Sequence, residues 1–533
     1  MLEDDKDRLW VGTWGAGLIV LPPDSSGGQK RRFISTEDSN SVAANSINAL
    51  VQDDRGYVWA GTQKGLSRIH SDSLDQGGFL NSYYDPEISG TLSSNQIGSL
   101  LSDKSGILWV GSYMGGIDRY IPWKNKFDKL QHDPYQASSL PGRNVLAVTQ
   151  AGDGRLWVAT ERGQLSVSRK PVKGEISSAR FESRSEIVNK ILDGEPSITS
   201  LVETEWDASG KSMWIGTVNG LVRLVGDGST KVYKKENGLT SSSIKALVKG
   251  NADELWIATA NGVNRLKIQT GKIKQYLHNP KNENSLIQNW TLSLFKDESG
   301  RIWVGSYGGL SLYRPETDDF QNYRHQLDNP NTLPSNYIYA MEQAEDGNLW
   351  VATSAGLALL NPISGYSTNL SLKHGLPNIV ICGIGRMPDG NLWISTHQGI
   401  SRFDIDKQKI RNFDIHDGLQ GNMFNPGVYT RLMDGSILFG GSNGLNLISD
   451  RSFPDKTEPA EIFIQSLTAN GKHIANGKAD KLELDWTQRE PTFAFSLLDY
   501  TAPEKNRYSW RLLGWKNEWS MPTAKRNTVF SRR

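Results

Sequence analysis

Cysteine is almost missing from this 533-residue chain: Cys382 stands alone. A single thiol excludes an internal disulfide and a cysteine-rich zinc site, and it leaves the redox compartment open. An excess of charge of one sign is missing as well, since 59 Lys and Arg against 58 Asp and Glu leave a net charge of +1. Nothing therefore steers the chain toward nucleic acid or anionic lipid. No apolar run approaches the roughly 20 residues of a membrane-spanning helix, and long runs at helical spacing are absent. The opening Met1-Leu2-Glu3-Asp4-Asp5-Lys6-Asp7 lacks the basic and apolar stretches of a signal peptide, so these residues carry no export address. What is abundant is 53 Gly, 17 Trp and 17 Tyr beside 22% charged residues. That mixture suits many short strands joined by tight turns.

Self-similarity dominates the rest. Leu9-Trp10-Val11-Gly12-Thr13 returns as Val58-Trp59-Ala60-Gly61-Thr62 and Leu108-Trp109-Val110-Gly111-Ser112, then around Trp157, Trp214, Trp256, Trp303, Trp350 and Trp393. A tenth copy, Leu438-Phe439-Gly440-Gly441-Ser442, reads as Phe in the place of Trp. The landmarks recur every 42 to 57 residues, the period of a four-stranded propeller blade. In one unit, Asn144-Val145-Leu146-Ala147-Val148-Thr149 is the expected inner strand, Asp153-Gly154 the first turn and Arg155-Leu156-Trp157-Val158-Ala159-Thr160 the second strand. A further turn at Gly163 leads into Gln164-Leu165-Ser166-Val167, with an outer strand after it. Leu156 and Val158 face one side and Trp157 the other, so both faces are apolar, as in a sheet packed between two neighbours. The Trp residues are read as packing, not chemistry.

At Gly238-Leu239-Thr240-Ser241 to Ile244, then Leu255-Trp256-Ile257-Ala258-Thr259 and Gly262-Val263, the repeat resembles the two-component regulator propeller family. The tail Asn506-Arg507-Tyr508-Ser509-Trp510-Arg511-Leu512-Leu513-Gly514-Trp515 with Trp519 is similar to the three-Y β-sandwich that follows such propellers. The resemblance implies the periplasmic sensor of a membrane receptor, often for oligosaccharides, coupled through a membrane helix to a histidine kinase or diguanylate cyclase. It also implies that the chain is cut short at both ends, opening inside a blade and stopping at Thr528-Val529-Phe530-Ser531-Arg532-Arg533. The fold expected is all-β. Residues 1–123 would be the last three blades of a truncated first propeller, 124–455 a complete seven-bladed propeller, and 456–533 an incomplete Ig-like sandwich. The junction is placed in the run from Gly115 to Phe127, and Pro454 and Pro459 bracket a linker before a strand opening at Glu461. Trp510, Trp515 and Trp519 are assigned to the sandwich core or to a dimer contact, with core the preferred reading.

Local motifs give no enzyme. Gly440-Gly441-Ser442-Asn443-Gly444 matches a nucleophile elbow in letters, but the elbow needs a strand-turn-helix and this run enters a hairpin. The turns at Asp53, Asp103 and Asp297 lack the alternating oxygen ligands of a calcium loop, and turn chemistry accounts for them. His132 and His278 share one repeat phase in separate blades and are placed in the link between outer and inner strands. No zinc motif is present and no cofactor is expected.

The candidate site comes from topology. In a four-stranded meander, the loop entering the inner strand and the loop after the second strand lie at one rim. The first set contributes Arg143, Trp290, Tyr337 and Phe424; the second contributes Glu161, Tyr307, His397 and Asn443. Aromatic faces stack on sugar C–H surfaces while polar groups bond hydroxyls, the usual plan of a ligand pocket. The reading is a ligand-sensing module, for an oligosaccharide by resemblance, without its own output domain and dimeric through the three-Y domain in an intact receptor. A propeller lyase or glycosidase, which needs two carboxylates at a set separation, and a protein-binding scaffold stay open as alternatives.

A three-blade remnant would leave an unpaired face and edge. Limited proteolysis is expected to degrade residues 1–120 before the seven-blade region; survival of residues 1–120 with loss of the seven-blade region would refute this division.

Overall fold

A computed structural model describes residues 1–23, 27–38, 40–74, 78–86, 91–104, 106–121, 127–133, 136, 138–192, 194–207, 210–251, 253–449, 462–470, 472–476, 491–498, 500, 503, 506–511, 517–521, 523–525 and 527–529. Residues 122–126 of the expected junction, Pro454, Pro459, Glu461 and Trp515 lie outside the described residues. The chain is nearly all β and divides into two compact units, Asn125–Phe453 and Met1–Lys124 together with Pro454–Arg533.

One blade shows how the repeat folds. Thr291–Lys296, Ile302–Ser306, Leu310–Arg314 and Asp319–Tyr323 form an antiparallel meander. The first hairpin turns on Asp297 and on Gly300, whose φ of +80° is open to glycine without strain. Asp297 Oδ1 accepts the Arg301 backbone N–H at 2.9 Å, while Oδ2 accepts Arg301 Nε at 2.6 Å and the indole Nε1–H of buried Trp303 at 2.9 Å. One carboxylate therefore ties the turn and satisfies the only polar atom of the indole side chain. Asp4 with Trp10, Asp53 with Trp59 and Asp103 with Trp109 repeat the bond at 2.7, 2.9 and 2.7 Å. These turn aspartates serve the indoles and their own backbone. The second hairpin is tied by the Ser306 hydroxyl, which donates to Gly309 O at 2.8 Å, and Thr217, Thr259, Thr353 and Thr396 do the same in their blades.

Seven such sheets fill the unit Asn125–Phe453. Numbered 1 to 7, their inner strands are Val145–Gln150, Ile198–Asp207, Ile244–Lys249, Thr291–Lys296, Ile338–Gln343, Ile381–Arg386 and Phe424–Arg431. Each lies beside the next, and the last lies beside the first, so the ring is closed. A hydrogen-bonded pairing closes it: the outer strand of blade 7 is Asp128–Leu130, from the start of the unit, paired antiparallel with Gly444–Ile448. Each of the seven blade junctions has its own apolar core, including the one where Val428, Leu438 and Leu445 of blade 7 meet Val145, Leu156 and Val158 of blade 1. In blades 1 to 6 the Trp points forward into the next junction. The wide interval between Trp157 and Trp214 holds an α-helix, Ser185–Leu192, whose Val188 and Leu192 plug the junction of blades 1 and 2.

Blade 7 departs from its expected register. Phe439 does not take the place of Trp. Asn446 stands opposite Phe439 as Asn264 stands opposite Ile257, and the two amides accept the N–H of Gln420 and Thr240 at 2.8 and 2.9 Å. Leu438 is thus the Trp equivalent. A shift of one residue turns a side chain to the other face, and Phe439 points backward into the core with Trp393 and Phe413.

In the other unit, two four-stranded sheets hold Trp10 and Trp59 in their cores. A third sheet, around Trp109, has three strands among the described residues. Leu101 and Ile117 on it are 60% and 73% exposed. The tail forms a four-stranded sheet in the order Lys472–Asn476, Ile462–Ala469, Pro491–Leu497 and Asn527–Val529, with Phe495 packed on Tyr508 and Trp510. Trp510 is half-buried there, but Trp519 is exposed under Arg511, so the core assignment fails for Trp519.

Removing Asp297 leaves the Trp303 N–H and Arg301 Nε without their acceptor beside a buried ring. Asp297→Ala is expected to cost about 2–4 kcal/mol. Denaturant unfolding of the full chain measures it, and a loss within experimental error of zero would show the bond to be dispensable.

Candidate functional site

The two loop sets do meet at one rim, joined by backbone hydrogen bonds: Glu161 N–H to Asn144 O, Tyr307 N–H to Trp290 O at 3.1 Å and Ser354 N–H to Tyr337 O at 3.2 Å. Three of the expected residues come together as a group. The Trp290 and Tyr307 rings meet edge to face at 5.7 Å, and Tyr307 and Tyr337 at 4.8 Å. Their exposures of 51%, 40% and 43% leave a broad aromatic platform open to solvent on blades 4 and 5. Exposure of three adjoining rings in water-facing loops is unusual without a partner surface. Tyr339, two residues on in the inner strand of blade 5 and half-buried, has its phenol raised above the usual range by burial, which keeps it a proton donor.

The other expected residues are placed differently. The Glu161 carboxylate accepts the backbone N–H of Arg143 at 3.1 Å and of Asn144 at 2.7 Å, so it braces its own loop. Arg143 is exposed and His397 half-buried, away from the aromatic contacts. Asn443 donates through Nδ2 to Gln420 O at 2.9 Å, closing its turn. Phe424 is a correction: it is fully buried and packs edge-on against Phe439. It pairs with Gly441 as Thr291 pairs with Ser306, one position past the rim. Met423, 52% exposed, holds the rim position instead, and Ser442, not Asn443, is the partner that bonds to it. The one-residue shift around Phe439 concealed both. Ser442 sits on a hairpin between two strands, not on a strand-to-helix elbow. His132 and His278 each bond a loop carbonyl through Nδ1, Leu140 O at 2.6 Å and Leu286 O at 2.8 Å, as structural links between strands.

Below the platform the channel is crossed by blade 7. Its inner strand has a bulge between Phe424 and Tyr429, two residues longer than the bulges of its sisters. Asn425 Nδ2 donates to Asn144 Oδ1 and Val145 O of blade 1, both at 2.7 Å. Tyr429 passes over blade 6 and donates to Met341 O of blade 5 at 3.0 Å. The passage exists because blade 6 has glycine there: a Cβ on Gly383 would lie 3.1 Å from the Tyr429 ring. Arg431 then reaches Glu342 of blade 5 at 3.0 Å. Tyr339, Asn425 and this crossing were not foreseen; the only trace in the sequence is the lengthened strand itself.

The family model of the two-component regulator propeller matches residues 41–64, 91–114, 139–162, 285–308 and 332–355. No curated protein matches the chain. Among solved structures, it is similar to the extracellular domain assigned to the hybrid two component system BT3049 from B. thetaiotaomicron, with 20% identity and a TM-score of 0.68 over 99% of this chain and 73% of that one. The corresponding domain of BT4673 from the same organism aligns at 19% identity and a TM-score of 0.50, over 100% of this chain and 70% of that one. At these identities the likeness is one of fold. No helix among the described residues is long and apolar enough to cross a membrane.

The channel crossing makes a pH-dependent element. Burial pushes the Glu342 carboxyl up from 4.5 to about 7, opposed by Arg431 and Arg386 and assisted by Glu298. Between those values the folded chain holds a proton that the unfolded chain has released, so stability falls as pH rises through that window. Glu342→Gln is expected to flatten this part of the curve of unfolding midpoint against pH; a slope identical to that of the wild type would assign the proton elsewhere.

Proposed function

We propose that the chain is the sensor part of a membrane signal-transduction receptor, displayed on the periplasmic side, and that it binds rather than converts its ligand. Residues 124–455 form the ligand-binding propeller in this reading, residues 1–123 belong to a first propeller, and residues 456–533 carry the signal onward and pair two copies. The observation that carries the reading is the exposed platform of Trp290, Tyr307 and Tyr337. Three rings from two adjacent blades offer flat apolar faces, with the Tyr307 and Tyr337 hydroxyls as hydrogen-bonding groups. A pyranose has the matching surface, one apolar C–H face edged by hydroxyls, so the ligand class is an oligosaccharide. The regulator propeller repeats support a receptor role, and so does a fold shared with extracellular domains assigned to hybrid two component systems.

Glu161, the one carboxylate among the rim candidates, is engaged by two backbone N–H groups, which speaks against the glycosidase alternative. Trp290→Ala and Tyr307→Ala are each expected to weaken glycan binding at least tenfold by calorimetry while leaving the unfolding midpoint of the ring nearly unchanged, because both rings lie outside the blade cores. Unaltered affinity in both variants would remove the platform as the site.

A further inference from the structure

Away from the aromatic platform, at the end of the ring that carries the Asp-type turns, a cleft of about 750 Å³ opens between blades 5 and 6. Its wall includes Trp350, 4% exposed, together with Arg386 and Arg402. Among the described residues, Trp350 Nε1–H and Arg402 Nε–H are buried without an acceptor. The same two donor types meet one acceptor elsewhere in the chain, where the arginine lies in the indole's own hairpin; Arg402 instead comes from blade 6, opposite Trp393. In blade 4 the indole of Trp303 and Nε of Arg301 share one carboxylate oxygen of Asp297, and near the N-terminus the indole of Trp10 and Nε of Arg8 share one oxygen of Asp4. In blade 5 the residue at the Asp297 position is Ala344, which lines the cleft.

Blade 3 supplies the contrast. Trp256 also lacks an acceptor, but Gly250 replaces the aspartate and its backbone lies so close that a Cβ would stand 2.9 Å from Nε1. Between blades 5 and 6 the acid is missing and the space is open.

We propose that this cleft is a second binding site, which takes a ligand carboxylate in the place of the missing aspartate. The carboxylate accepts from the Trp350 indole and from Arg402, as Asp297 accepts from Trp303 and Arg301. The other bases in the wall already hold acids, Arg386 with Glu345 at 2.8 Å and Lys407 with Asp404 at 2.9 Å, and Arg402 also reaches Asp389 at 3.4 Å. With Asp346 and Asp406 in the wall as well, five acids face three bases, so the cleft disfavours a polyanion. What it lacks is a single acceptor.

The test follows the indole N–H signals of the ¹⁵N-labelled full chain, with the Trp350 signal identified by its loss in Trp350→Phe. Acetate, glucuronate and N-acetylglycine are titrated separately, with glucose as the uncharged control. A saturable shift of the Trp350 signal with the carboxylates and none with glucose is expected; glucuronate binding more tightly than N-acetylglycine points to an acidic sugar, and the reverse order to a peptide carboxylate. Ala344→Asp supplies the acceptor from within, so its Trp350 signal starts displaced and carboxylate affinity falls at least tenfold. Arg402→Gln, at a half-exposed position, is expected to weaken the same titration without filling the cleft. Trp290→Ala leaves it unchanged, which separates this site from the rim platform. A Trp350 signal indifferent to all three carboxylates, or full affinity in both Ala344→Asp and Arg402→Gln, overturns the proposal.

Discussion

Everything in the ring depends on a pairing between residues more than three hundred positions apart: Asp128–Leu130 against Gly444–Ile448. A blade with two apolar faces is soluble only when both are covered, and a linear row of blades always leaves two faces bare. The three-residue strand from the beginning of the unit completes the last blade and brings its face onto the first, which buries the core of Leu130, Val145, Leu156, Val428 and Leu438. The pairing is short, and its strength lies in that core more than in its few hydrogen bonds. The junction it closes has no Trp, because Leu438 takes that register, so aliphatic packing seals the ring where aromatic packing seals the others.

Closure also decides where a ligand can sit. Once the ring is fixed, the loops entering the inner strands and the second hairpins share a rim, and the channel beneath is open or shut according to what the inner strands carry. Here blade 7 reaches across to other blades. Its long bulge binds blade 1 through Asn425, and Tyr429 passes Gly383 of blade 6 to blade 5. The Tyr339 carbonyl lies beside Gly427 of the bulge.

Much of this was legible in the letters. The Trp period marks the blades because an indole fills a junction as few other side chains can, and Asp-Gly pairs mark the first hairpins because glycine accepts positive φ. Counting from those marks places Trp290, Tyr307 and Tyr337 at the rim. Phe424 and Asn443 were misplaced by the same counting. The second strand of blade 7 ends one residue sooner, and Phe439, taken for a Trp equivalent, lies on the opposite face. A single-residue slip leaves composition and period intact while reversing every side chain, so only pairing partners reveal it. The closing strand was illegible for another reason: three residues carry no periodicity. The link between each turn aspartate and the indole six residues on is visible in the sequence, as Asp4 to Trp10 and Asp297 to Trp303, but its meaning needs the hairpin that brings them together.

Repeats that share one scaffold speak loudest where they differ. Blades 2 and 3 put Val218 and Ala260 at the position where blade 4 has Tyr307, and blade 5 has Ala344 where blade 4 has Asp297. Gly383, which lets Tyr429 through, belongs to blade 6, and the long bulge to blade 7. Each departure gives up something the repeat would otherwise supply: a small turn residue kept out of water, an indole with its acceptor, a straight inner strand. Packing gains nothing from an exposed Tyr or an unsatisfied N–H, since the first leaves apolar surface in water and the second leaves a donor buried without a partner. Blade 3 carries its own departure, Gly250 in the aspartate position beside a Trp256 N–H without an acceptor, while the exposed aromatics, the cleft and the long bulge fall in blades 4 to 7.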